Sequence, residues 1–333
     1  MGLDLSGNAP HRRLQESVAA DMLRVDGLIR ERMASEHAPR IPEVTAHLVD
    51  AGGKRLRPML TLAAARLCGY EGEHHIRLAA TVEFIHTATL LHDDVVDESE
   101  RRRGRPTANL LWDNKSSVLV GDYLFSRSFQ LMVETGSLHV LDILANAAAT
   151  IAEGEVLQLT AARNLATDED VYLRVIRGKT AALFAAATEV GGVIAGARQG
   201  VVRGLRHYGD ALGISFQIVD DLLDYGGVSQ TIGKNVGDDF RERKLTLPVI
   251  KAVHRADKKE RAFWERVIER GEQHDGDLEE ALEILNRHGT LEETRTEALN
   301  WADRARAALG DVPAHALRDI LADIADYVVA RVN

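Results

Sequence analysis

Two short acidic clusters carry the chemistry that this sequence makes legible. The first reads Asp93-Asp94-Val95-Val96-Asp97 and ends the apolar run from Ile85 to Leu91. The second reads Asp220-Asp221-Leu222-Leu223-Asp224 and follows Ile218 and Val219. On a helix the first and last aspartates of each cluster share one face, one turn apart. Like charges at that spacing repel. The same spacing aims two hard oxygen ligands at one point, which suits Mg²⁺ held by carboxylates and substrate phosphates. One such cluster could be an ordinary acidic helix end. Two, each following a core-like run, imply facing helices that line one cavity with six carboxylates. Each would raise the pKa of its neighbours, so the arrangement calls for more than one divalent ion.

Basic residues recur around this acidic pair. Lys54, Arg55 and Arg57 lie in the turn from Gly52 to Pro58. Arg101, Arg102 and Arg103 follow the first cluster. Lys179 and Thr180 precede the apolar stretch Ala181–Ala187, and Lys234 and Lys244 follow the second cluster. Arginine forks match phosphate oxygens bidentately, and lysine meets them as a point charge. Each group alone has a plainer reading. The Lys54–Arg57 turn could be solvated, the arginine run could pair with Glu98 and Glu100, and His86 could be a packing residue. Together with the acidic clusters they describe a site for a ligand with at least two phosphates. No P-loop, dinucleotide fingerprint or Ser/His/Asp order is present.

These residues need long helices to hold them. The chain has 333 residues, 45% hydrophobic and 5% aromatic, with only 7 prolines. Almost no segment alternates with period two. That favours an all-α fold, a single large helical bundle with a central cavity, spanning residues 1–333 as one domain. Apolar spacing predicts helices over Arg12–Ser35, Ile41–Ala51, Pro58–Gly69, Ile76–Glu98, Ser117–Glu134, Leu138–Ala162, Asp168–Ala187, Gly200–Tyr225, Leu245–Val253, Lys259–Arg270, Leu278–Arg287, Leu291–Leu309 and Pro313–Val332. Arg101–Lys115 reads as a basic loop. A formal charge of −10 gives no basis for nucleic-acid binding. The single cysteine, Cys68, excludes an internal disulfide and fits a reducing cytoplasm. Met1–Pro10 lacks the apolar core of a signal peptide. Ala181–Ala197 is too short for a transmembrane segment and is interrupted by Glu189. A cytoplasmic protein is expected.

The order of these motifs resembles the trans-polyprenyl diphosphate synthases. The matching residues are Gly52–Pro58, Asp93–Asp97 with Arg102-Arg103-Gly104, Lys179-Thr180, Gln217 with Asp220–Asp224, and Gly233-Lys234 through Lys244, over roughly residues 15–330. The stretch from His86 to Asp94 is similar to the long-chain members: octaprenyl, solanesyl and decaprenyl diphosphate synthases. The resemblance implies the type I isoprenoid synthase fold, a homodimer and Mg²⁺, three ions per site. It implies that Asp93, Asp97 and Asp220 ligate metal, with Asp94, Asp221 and Asp224 in support. Arg102, Lys179, Thr180, Gln217 and Lys234 would hold an allylic diphosphate, and Lys54, Arg57, His86 and Arg103 would hold isopentenyl diphosphate. Arg101 precedes the usual arginine pair, and the spacing to Gly104 favours Arg102 and Arg103.

Product length is expected to be written on the first acidic helix. Ala88 and Thr89 lie about one turn before Asp93, and both are small. Family members with an aromatic ring there make short products. Small residues imply a deep tunnel, an octaprenyl-to-decaprenyl product and a quinone side chain as its end use. The rival readings are a short-chain synthase, a class I terpene cyclase and a non-catalytic partner subunit. A cyclase has no second diphosphate and no use for Lys54, Arg57 and Arg103, and a non-catalytic subunit loses the aspartates kept here.

Overall fold

The computed structural model describes residues 9–50, 53–102, 104–226 and 237–332. Arg103 and Lys234, two of the expected phosphate-binding residues, lie outside the described residues. The chain runs through α1 (Ala9–Ser17), α2 (Ala19–Met33), α3 (Arg40–Asp50), α4 (Leu56–Leu67) and α5 (His74–Val96). A two-residue antiparallel pair follows, β1 (Arg101–Arg102) and β2 (Arg105–Pro106), with Arg102 opposite Arg105. Then come α6 (Ala108–Leu111), α7 (Asn114–Val133), α8 (Leu138–Ala161), α9 (Glu169–Ile176), a π-helical turn (Arg177–Ala181) and α10 (Ala182–Ile194). The remainder is α11 (Gln199–Gly226), α12 (Asp238–Arg241), α13 (Leu247–Arg255), α14 (Lys258–Trp264), a second π-helical turn (Glu265–Arg270), α15 (Asp277–Arg287), α16 (Thr290–Ala308) and α17 (Ala316–Val329).

Local chemistry sets many of these boundaries. Asp113, Ser137 and Asp168 accept backbone N–H bonds at the starts of α7, α8 and α9, satisfying donors that a helix start leaves unpaired. Asp257 and Glu260 form a reciprocal cap on α14. Three expectations need correction. The helix expected over Arg12–Ser35 breaks at Val18, where the Ser17 hydroxyl bonds back to the Arg13 carbonyl at 2.7 Å, competing with the helical ladder. The helix expected over Asp168–Ala187 is α9, the π-turn and part of α10. The basic loop holds the two-residue hairpin and α6.

Helix α5 is apolar on all sides and is therefore central. Leu78, Val82 and Ile85 form one stripe, packed with Leu144, Ile151, Leu183 and Val190 from α8 and α10. Ala80, Phe84, Ala88 and Leu91 face the larger core. Helix α11 is the second axis, against α10, α16 and α17. Its Gly209 and Gly213 let it approach α10 closely. A Cβ at those positions would fall 2.4 Å from the Phe184 carbonyl oxygen and 2.6 Å from Ala181 Cα.

Candidate active site

The first acidic cluster closes α5. Asp94 is fully buried, and Arg102 Nε donates to its Oδ1 at 2.8 Å. Arg102, from the hairpin that follows, thus braces the cluster. Asp93 lies 3.9 Å from Lys179 Nζ. Lys179 also donates to Glu155 on α8 at 2.8 Å. Asp97, which caps α5, lies 3.7 Å from Lys244 Nζ. Lys244 pairs closely with Glu242 and lies 4.0 Å from Asp239.

Two lysines join the clusters. Lys179 and Lys244, which meet the first cluster, also line a cavity of about 120 Å³ with Thr180, Gln217 and Asp221. Within it runs a chain of hydrogen bonds. Thr180 Oγ1 donates to Gln217 Oε1 at 2.8 Å, and Gln217 Nε2 donates to Asp221 Oδ1 at 2.8 Å. Tyr172 on α9 donates to Asp221 Oδ2 at 2.6 Å. Asp220 meets Nη1 of Arg331 at 2.9 Å. Asp224 turns instead to the loop that follows it, accepting the backbone N–H groups of Asp238 and Asp239 at 3.1 and 3.0 Å. It therefore fixes the start of α12.

Two of the expected isopentenyl diphosphate residues meet directly, and Lys54 stands in the turn just before Arg57. Arg57 Nη1 and His86 Nε2 are 3.2 Å apart, joining α4 to α5. The Arg57 guanidinium stacks 4.3 Å from the Phe184 ring centroid. Lys54 donates to the Tyr327 hydroxyl at 3.1 Å. Arg55, from the same turn, points inward to pair with Glu83. It has a positive φ of 47° and serves the packing of α4 on α5.

Electrostatics follow from this crowding. Burial pushes the Asp93 carboxyl up to about 7; Lys179 opposes the shift, and Glu155 and Asp97 add to it. Burial raises Asp94, against the Arg102 bond. Burial takes Asp221 to about 6, against the bonds from Tyr172 and Gln217. Burial disfavours the Lys244 charge, but Asp97, Asp239 and Glu242 outweigh it and hold its pKa above the ordinary lysine value. Carboxylates so placed gain from any added cation.

The donor set fits Mg²⁺. It is all oxygen, and Oδ2 of Asp94 and Oε1 of Glu155 are buried without a hydrogen-bond partner. Among the described residues no three acidic, histidine or cysteine side chains converge as a ready cage. Mg²⁺ is usually bound through one or two carboxylates, waters and substrate phosphates rather than an all-protein cage.

Glu155, Tyr172 and Arg331 carry part of this site without having been singled out in the sequence. Glu155 had a weak signal, an acid-glycine-acid triplet (Glu153-Gly154-Glu155) inside an apolar helix. Tyr172 and Arg331 had none, because their partners lie 49 and 111 positions away or arrive from the opposite end of the fold.

An all-α bundle with two aspartate clusters, lysines that bridge them and the Arg57–His86 pair defines a protein suited to diphosphates. Residues 38–285 match the family model for polyprenyl synthetase. The chain belongs to the polyprenyl synthetase family, and its all-α architecture is that family's isoprenoid synthase fold. It is 46% identical to the octaprenyl diphosphate synthase of Escherichia coli, over 96% of this chain and 98% of that one. A decaprenyl diphosphate synthase from Rhodobacter capsulatus is 74% identical in sequence and superposes with a TM-score of 0.94, covering 97% and 99% of the two chains. A polyprenyl synthase from Caulobacter crescentus, solved with calcium and isoprenyl diphosphate, is 52% identical, with a TM-score of 0.92 and coverage of 97% and 98%.

Proposed function

We propose that the chain is a Mg²⁺-dependent trans-prenyltransferase that adds isopentenyl units repeatedly to an allylic diphosphate primer, farnesyl or geranylgeranyl diphosphate. The product is a long-chain all-trans polyprenyl diphosphate, octaprenyl to decaprenyl, destined for a quinone side chain. The observation that carries this reading is the division of the basic residues. Lys179, Thr180 and Gln217 touch residues of the acidic clusters, while Arg57 meets His86 and Lys54 meets Tyr327. That provides for two diphosphates, one to be ionised and one to be kept. Similarity to octaprenyl and decaprenyl diphosphate synthases supports the long product.

Asp93, Asp97 and Asp220 would hold Mg²⁺, three ions per site, with Asp94 and Asp221 in support. When bound, the metal supplies Lewis-acid stabilisation of the departing diphosphate. Lys179, Thr180, Gln217 and, by position in sequence, Arg102 and Lys234 hold the allylic diphosphate as its carbon–oxygen bond breaks and the electron pair leaves with the phosphate. Lys54, Arg57, His86 and Arg103 hold isopentenyl diphosphate so that its double bond faces the allylic cation. Bond formation and loss of a proton to the released diphosphate complete one extension. Orientation of both substrates supplies much of the rate, and an apolar surround keeps water from the cation.

The growing tail runs down α5. Thr89 lies four residues before Asp93 and four after Ile85, so the stripe Leu78, Val82, Ile85, Thr89 leads from the acidic cluster into the apolar layer between α5, α8 and α10. No helix among the described residues is long and apolar enough to cross a membrane. Val118, Leu119, Phe129 and Val133 on α7, with Leu138 and Val156 on α8, expose apolar surface that supports homodimer formation there. Radiolabelled isopentenyl diphosphate tests the chemistry. Asp93→Asn and Asp220→Asn should each lower its incorporation roughly 100-fold or more, and full incorporation by either variant would overturn the reading.

A further inference from the structure

Asp220 is held by a cation from the end of the chain. Nη1 of Arg331 lies 2.9 Å from Asp220 Oδ1. The same guanidinium lies 5.4 Å from the ring centroid of Phe216, one turn before Asp220 on α11. Arg331 belongs to the short 3₁₀ turn Ala330–Val332 after α17. Tyr327, four residues earlier, receives the hydrogen bond from Lys54. The C-terminal turn therefore touches the second acidic cluster, and the last turn of α17 just before it touches Lys54.

We propose that Arg331 is a resident counter-cation of Asp220 that a divalent ion displaces, so that metal loading at the second cluster releases the C-terminal turn. The proposal rests on the reading of Asp220 as a metal ligand. A guanidinium paired with Oδ1 and a metal on the same carboxylate compete for the same negative charge, and two cations so close repel. The pair is built for exchange. Asp220 is 34% exposed, while Nη1 of Arg331 is buried and makes no hydrogen bond. An ion pair that lacks hydrogen-bond geometry and leaves its carboxylate partly open to water is weak enough to yield to a divalent ion. By linkage, whatever factor the docked arginine takes from metal affinity, bound metal takes from the docking of the turn.

The full-length chain, without substrates, tests this with Mn²⁺ alone as the probe, titrated by electron paramagnetic resonance. Arg331→Gln should bind Mn²⁺ more tightly, by roughly 3- to 10-fold. Arg331→Lys, which keeps the charge without the fork, should fall between it and the parent. Asp220→Asn should bind Mn²⁺ more weakly. In parallel, carboxypeptidase should remove the last residues of the parent chain several-fold faster in saturating Mg²⁺ than without it. If Asp220→Asn weakens binding while Arg331→Gln leaves it unchanged, the displacement proposal is overturned and the metal reading stands. If Asp220→Asn changes nothing, the metal reading itself fails. A carboxypeptidase rate indifferent to Mg²⁺ also overturns the proposal.

Discussion

Lys179 and Thr180 owe their position to a contact between two glycines, and replacing one of them should disable the site from behind. The π-turn Arg177–Ala181 rests against α8 at Gly154. A Cβ at Gly154 would fall 2.6 Å from the Lys179 backbone nitrogen and 2.9 Å from the Gly178 carbonyl carbon. Both obstacles are backbone, so no side chain can swing aside. Restoring an ordinary contact of 3.4 Å needs a displacement of about 0.8 Å, and misplacements near 1 Å can cost about 100-fold in rate. Gly154→Ala should therefore lower kcat/KM roughly 10- to 100-fold and, as an overpacked core, lose about 1–3 kcal/mol of stability. Gly27→Ala is the control. Gly27 is helical and exposed, with nothing within 4 Å of its added Cβ, and alanine there should gain about 0.5–1 kcal/mol with activity unchanged. Steady-state kinetics and urea unfolding read both quantities. Gly154→Ala with parental activity and stability would refute the positioning role of the glycine contact.

Further outcomes follow from the same geometry. Thr89→Phe should shorten the product while elongation continues, because the ring would close the stripe that leads down α5; product chromatography showing the parental length would count against that path. Ala88→Phe should also shorten the product, but Ala88 is wholly buried in the larger core, so it should cost about 1–3 kcal/mol in addition. Tyr172→Phe removes a donor from buried Asp221 and should cost about 1–3 kcal/mol, seen as a lower urea midpoint than the parent; an unchanged midpoint would argue against the bond. Acid should destabilise the fold through a site far from the chamber. Burial lowers the His75 pKa below 6.5 despite Asp21, and Arg66 and His75 outweigh burial to lower Asp21 below 3.8. Both groups disfavour protonation in the fold, so stability is present above about pH 6.5 and falls as pH drops through their folded values. His75→Gln should flatten the urea midpoint between pH 6.5 and 5, and an unaltered slope would contradict the assignment.

Sequence spacing revealed what depends on one helix face. Asp93 and Asp97, Lys179 beside Thr180, and Gln217 before Asp220 are local patterns, and the fold draws them together around the lysines and the chamber. Helix positions were legible too, since α11 repeats its apolar residues at helical period and α5 is a long apolar run. What sequence hid depends on distant pairing. Arg102 serves Asp94 as much as any phosphate, Arg55 turns inward to Glu83, and Asp224 spends its carboxylate on backbone N–H groups. None of these partners is fixed by local spacing. The π-turn at Arg177–Ala181 was also invisible, and it packs on Gly154, 24 residues before Gly178 and on another helix.

The central claim is that two diphosphates meet in one chamber and that one is elongated many times. Incubating the full-length chain with isopentenyl diphosphate, farnesyl diphosphate and Mg²⁺, then sizing the products by chromatography, tests it directly. The account predicts linear all-trans polyprenyl diphosphates of octaprenyl to decaprenyl length. Arrest at geranylgeranyl diphosphate, a cyclic hydrocarbon, or no elongation at all would contradict it.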